Sequence, residues 1–131
     1  MPIRPVKDLV AEAKARITTL SPAEAQARAD AGMALLVDIR DIRELAREGR
    51  VPGAFHAPRG MLEFWIDPSS PYHKPELAGE RTLILFCASA WRSALSADAL
   101  QSYGMTNVAE IAGGFSAWCD AGLPVDRDDA V

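Results

Sequence analysis

The chain is short of cysteine, histidine and long apolar runs, and it has no excess of basic residues. Two cysteines in 131 residues, Cys87 and Cys119, cannot build the disulfide framework of a small secreted domain. No Cys-x-x-Cys pair or Cys/His cluster stands at ligand spacing, so no metal site is expected. No apolar run reaches about 18 residues, so no membrane span is expected. The opening MPIRPVKDLV lacks the apolar stretch of a signal peptide. A net charge of −4 argues against a nucleic-acid binder, which carries a basic footprint. Together these absences lead to the expectation of a reducing, cytoplasmic location with both thiols free.

What is present fits a globular domain. The apolar fraction is 49% and the charged fraction 24%, and the length suits one domain over residues 1–131 with its own core. Val6, Leu9, Val10, Ala13 and Ile17 recur at helical spacing, predicting an N-terminal helix over 1–16. The stretch 17–20 reads as a short strand, opening a core over about 18–125. Ser21, Pro22 and Glu24 form a helix start with a capping box, and that helix should end near Gly32. ALLVDI (34–39) is a strand covered on both faces. Asp41 caps a short helix running to Glu48, stopped by Gly49. A very short strand follows the Pro52–Gly53 turn, then one or two helical turns over 60–66. Residues 67–80 read as a loop. TLILF (82–86) is a buried strand. From Arg92 the pattern turns helical, with Leu95, Ser96, Ala99, Leu100 and Tyr103 on one face. NVAEI (107–111) is the last strand, and a final helix ends near Gly122. Residues 126–131 read as a loose acidic tail. Five strands alternating with helices predict an α/β fold, a parallel sheet with helices on both faces.

The stretch FCASAWRSA carries the chemistry. Ligands of open α/β sheets bind beyond the carboxyl ends of the strands. Cys87 stands at such an end, and residues 88–91 curl before a helix that begins at Arg92. Loop amides beside a helix N-terminus cradle anions, and they and Arg92 favour a thiolate. Free cysteines are most often inert core residues. This position argues instead for a nucleophile. Two enzyme classes use a strand–Cys–loop–Arg–helix order. Phosphatases place five residues between Cys and Arg, to fit a tetrahedral phosphate. Here four intervene, namely Ala88, Ser89, Ala90 and Trp91, and the tighter ring suits a sulfur attached to the cysteine.

At this point the sequence resembles the rhodanese family of sulfurtransferases, over about Ser21 to Val125. VDIRDIRELAREGRVPGAFHAP is similar to the family's Asp-x-Arg stretch and Pro-Gly-Ala turn. CASAWRSA stands at its active-site loop. IAGGFSAWCDAGLPV is similar to its closing Gly-Gly-x-x-Ala-Trp and Gly-Leu-Pro-Val pattern. The resemblance implies a single rhodanese-like domain in which Cys87 takes sulfur from a small anionic donor such as thiosulfate and becomes a persulfide. It then implies transfer to a thiophilic acceptor: cyanide, a thiol or a protein. Amides of residues 88–92 would hold the persulfide, Arg92 would support the thiolate, and no cofactor would be needed. Relatives commonly carry glycine where this chain has Ala90. If φ is positive there, alanine is strained by about 1 kcal/mol. Relatives often have a smaller residue at Trp91 and a basic one at Ala88. With Arg92 as the loop's only charge, weak turnover of the thiosulfate dianion is expected. Two rival readings stand: a catalytically weak rhodanese-like module for binding or redox sensing, and a phosphatase or arsenate reductase on the same architecture.

Other residues are weighed against plainer roles. Ser89 either contacts substrate or satisfies the loop's own backbone. Ser93 is read as stabilising the join of loop and helix. Asp38 and Arg40 are read as an ion pair or loop anchor, with pocket lining as the alternative. Arg59 is the second candidate for drawing in an anionic donor. Met61, Phe64 and Trp65 are read as core. His56 and His73 are given no role, since a thiolate needs no base. Cys119 is read as inert.

Overall fold

The computed structural model describes residues 2–127. Helix α1 (Val6–Arg16) leads into strand β1 (Thr19–Leu20), α2 (Pro22–Asp30), β2 (Ala34–Asp38), α3 (Ile42–Glu48) and β3 (Phe55–His56). A 3-10 turn (Arg59–Met61) joins α4 (Leu62–Ile66), and then come β4 (Thr82–Phe86), α5 (Arg92–Ser102), β5 (Val108–Ile111) and α6 (Gly114–Asp120). The strands form one parallel sheet in the order β1-β5-β4-β2-β3. Local chemistry sets the helix starts. Ser21 with Glu24, and Asp41 with Glu44, close reciprocal capping boxes.

Strand alternation divides the core. Ile84 and Phe86 of β4 join Leu36, Ala109, Ile111, Phe115 and Trp118 on the face covered by α2 and α6. Leu83, Leu85 and Cys87 project to the other face, with Val37, Leu62, Ala97 and Leu100. The two-residue period that buries β4 therefore delivers Cys87 to the side of α5. Helix α1 lies on α5, packing Val10 and Ala13 against Ala94. The buried Trp118 donates its indole N–H to the carbonyl of Pro124 at 2.8 Å, which fastens the segment after α6.

Four details differ from the sequence reading. The buried face of α5 is Ser93, Ala94, Ser96, Ala97 and Leu100, while Tyr103 is 71% exposed. The helix is covered by the sheet on one side and α1 on another, so small residues face inward. Phe64 is 53% exposed, and Leu62 is the residue α4 buries. The loop over 67–80 contains a 3-10 turn at Pro75–Leu77. Asp126 is not loose: it exchanges two backbone hydrogen bonds of 2.8 Å with Arg50. The remainder of the expected tail, 128–131, lies outside the described residues.

Candidate active site

Cys87 is the residue immediately after β4, and its side chain is 1% exposed. The loop that follows turns back over it because Ala90 takes φ +69°, the one non-glycine positive φ among the described residues. Alanine at φ > 0 is strained by about 1–2 kcal/mol. The fold maintains the strain by gripping the loop from α6. The N–H groups of Phe115 and Ser116 donate to the carbonyls of Cys87 (2.7 Å) and Ala88 (3.1 Å). With those carbonyls drawn outward, loop amides point inward to the sulfur. Gly114 makes this approach feasible, since a Cβ there would sit 2.5 Å from the Cys87 oxygen.

Burial pushes the Cys87 thiol up, but hydrogen bonds from Ser93, Ser89 and Ala90 hold it below its ordinary value. The Ser93 amide lies 3.4 Å from Sγ and the Ser93 hydroxyl 3.6 Å from it. A hydroxyl has one proton, and the Ser93 hydroxyl donates it to Glu110 Oε1 at 2.7 Å. While the hydroxyl is so committed, the amides are the donors that favour the thiolate.

Arg92 opens α5 and reaches across to α3, where its two terminal nitrogens pair with the two carboxylate oxygens of Glu44 at 2.7 and 3.0 Å. The hydrogen bond to Arg92 holds Glu44 below the usual carboxylate range. Arg92 is itself held above its usual range, first by Glu44 and further by the nearby Cys87. The loop's one cation is thus already matched by an anion that the sequence reading missed. No local signal marks it: Glu44 reads as a first-turn helix acid in the stretch DIRDIRE, and folding brings it to an arginine 48 residues later.

Asp38 and Arg40 form a fully buried ion pair at 2.7 Å. Arg40 also donates to the Gly49 carbonyl at 2.9 Å and lies 4.1 Å from the centre of the Phe115 ring. It ties the end of β2 to the region after α3 and to α6, and with 0% exposure it is not displayed to solvent. Arg59 is exposed at the carboxyl end of the sheet, where its N–H bonds the Ile39 carbonyl. Ser89 is exposed, Ala88 half-buried, and Trp91 is 48% exposed. His56 and His73 bond the backbone carbonyls of Arg40 and Trp65. Cys119 packs against the face lined by Trp118, whereas Cys87 belongs to the opposite face. A cleft lined by Glu63, Ile66, Asp67, Leu100, Tyr103 and Met105 includes neither Cys87 nor residues 88–92.

A family model for the rhodanese-like domain matches residues 21–121. The chain belongs to the rhodanese family. A sulfurtransferase of Allochromatium vinosum is 32% identical to this chain over 100 residues, spanning 76% of this chain and 85% of the relative. The polysulfide-sulfur transferase homodimer of Wolinella succinogenes has a similar structure, with a TM-score of 0.71, 30% identity, and coverage of 95% of this chain and 88% of that one. A Rhodopseudomonas palustris protein of unknown function, described as a possible tyrosine phosphatase, aligns with a TM-score of 0.88 and 46% identity, over 96% of this chain and 99% of that one. The family assignment makes the domain a sulfurtransferase-type transferase with donor and acceptor substrates. Among the described residues no helix is long and apolar enough to cross a membrane.

Proposed function

We propose that this rhodanese transfers sulfane sulfur through a persulfide on Cys87. The observation that carries the reading is the ring of Ser89, Ala90 and Ser93 donors around a sulfur held at a strand end, with four residues between Cys87 and Arg92. The Cys87 thiolate attacks the outer sulfur of a small anionic donor such as thiosulfate. A Cys–S–S bond forms, the donor's S–S bond breaks, and sulfite leaves with the electron pair. Cyanide, a thiol or a protein acceptor then takes the outer sulfur, and Cys87 leaves as thiolate. Amides of residues 88–92 hold the anionic persulfide, Ser89 borders the opening, and no cofactor takes part. Arg92 supports the loop and the thiolate. Arg59 is the exposed cation available to a donor. A reducing, cytoplasmic setting, with no nucleic acid or membrane as partner, belongs to the same reading.

Because Glu44 matches Arg92, little free positive charge faces the sulfur, and thiosulfate turnover is expected to be slow. A steady-state assay with thiosulfate and cyanide tests this. Slow turnover that vanishes in Cys87→Ser agrees with the proposal, and a high kcat/KM would overturn the weak-turnover claim while leaving Cys87 as nucleophile. One observation favours a second reading, phosphate-ester hydrolysis: the Rhodopseudomonas palustris protein is described as a possible tyrosine phosphatase. Hydrolysis of an aryl phosphate without any reaction toward sulfur donors would select it.

A further inference from the structure

Beneath the candidate nucleophile lies a charged side chain that sulfur-transfer chemistry alone does not explain. Glu110 interrupts the apolar strand β5, and none of it is exposed. By alternation it shares the face of Val108, opposite to Ala109 and Ile111, which directs it toward α5. Burying a carboxylate is costly unless it is paired and hydrogen-bonded. Here three donors from three elements converge on it. The Lys14 ammonium of α1 (3.1 Å) and the Thr19 hydroxyl of β1 (3.2 Å) bond Oε2, and the Ser93 hydroxyl of α5 (2.7 Å) bonds Oε1.

The direction of these bonds constrains Cys87. An ionised carboxylate only accepts, so the single Ser93 proton points at Glu110. The Ser93 oxygen then presents a lone pair to Cys87 Sγ, 3.6 Å away, and the S–H donates to it. The result is a directed chain, Cys87 S–H to Ser93 O–H to Glu110 carboxylate, with Lys14 as countercharge at its far end. Other charges on the elements packed around the pair are matched: Arg92 with Glu44, Asp38 with Arg40 at the end of the neighbouring strand β2, and Asp98 of α5 with Arg16 of α1.

We propose that Ser93 and Glu110 are the proton-accepting chain of Cys87, with Lys14 and Thr19 as positioning residues that hold the carboxylate. The S–H bond breaks as Ser93 Oγ takes the proton, and the Ser93 O–H proton passes to Glu110 Oε1. A thiolate and a neutral carboxyl replace a thiol and a carboxylate, with no net charge gained. The thiolate that forms is the one the Ser89, Ala90 and Ser93 amides receive. The buried sulfur thus loses its proton internally instead of to bulk water.

The proposal rests on Cys87 being the nucleophile, but its test requires no sulfur transfer. The full chain carrying Cys119→Ser is alkylated with iodoacetamide, and the rate at Cys87 is followed against pH by mass spectrometry. A lone thiol loses reactivity about tenfold per pH unit below its titration. While its carboxylate is ionised, an internal acceptor adds a thiolate fraction independent of pH, because the pair exchanges a proton without releasing one. The expected result is a flat limb below the thiol titration in the parent protein. Glu110→Gln should lose that limb and fall about tenfold per pH unit. Ser93→Ala, which cuts the chain but leaves the carboxylate intact, should behave the same way and serves if the Glu110 variant does not fold. A parent profile with no flat limb, or a limb that survives in these variants, would overturn the proposal. Failure of the persulfide reading would appear separately, as normal alkylation without a sulfur adduct.

Discussion

At the scale of single residues, the site is governed by where each hydrogen-bond donor spends its proton. While Cys87 is a thiol, Arg92 is paired with Glu44 and the Ser93 hydroxyl donates to Glu110, so the backbone amides of Ser89, Ala90 and Ser93 are the donors already aimed at the sulfur. Replacing Glu44 by Gln should loosen Arg92 and reduce stability at neutral pH by about 1 kcal/mol or less, since Arg92 is partly solvated. The pH dependence has a definite sign. Arg92 depresses Glu44 from its ordinary 4.5, so the pair's contribution is full above that value and lost as pH falls through the lower folded value. Thermal melts of the two proteins should therefore differ at pH 7 and converge in acid, and a gap that persists unchanged at the lowest pH would refute this role. Ala90 supplies a second check. Its left-handed backbone was foreseen from the sequence as a conditional, and φ +69° meets the condition. Ala90→Val adds branching at the strained position and should cost about 2 kcal/mol or more in urea unfolding.

At the scale of elements, α6 maintains the loop's shape. Its first turn gives amides to the Cys87 and Ala88 carbonyls, and Gly114 permits the contact. Gly114→Ala would put a methyl group 2.5 Å from a backbone oxygen at φ +61°. The chain must shift, at about 2–4 kcal/mol, and Cys87 alkylation should change with it. Unaltered stability and reactivity would show the loop to be held by other means. The elements themselves were largely legible, because period-two apolar strands and capping boxes are local signals. β4, the capping box at Ser21 and the stop at Gly49 all stand as read. What escaped was long-range. Tyr103 sits on the same helical stripe as Leu100 but ends up in solvent, since α1 covers a different side of α5. Glu44 and Glu110 looked like ordinary helix and strand acids, and only the folded chain brings them to Arg92 and Ser93.

At the scale of the molecule, α1 lies outside the family-matched residues 21–121 yet is packed on the helix that begins at the site. It buries Val10 and Ala13, pairs Arg16 with Asp98, and sends Lys14 to Glu110. Removing residues 1–16 should lower stability by about 3 kcal/mol, from lost apolar burial and an uncovered carboxylate. A urea midpoint equal to that of the whole chain would mean the helix is an appendage.

The central claim concerns a covalent intermediate, and intact-protein mass spectrometry addresses it directly. After treatment with thiosulfate or mercaptopyruvate, the account predicts a gain of about 32 Da that cyanide or reductant removes and that Cys87→Ser abolishes. No adduct with any sulfur donor, from a folded protein whose Cys87 still reacts with iodoacetamide, would contradict it.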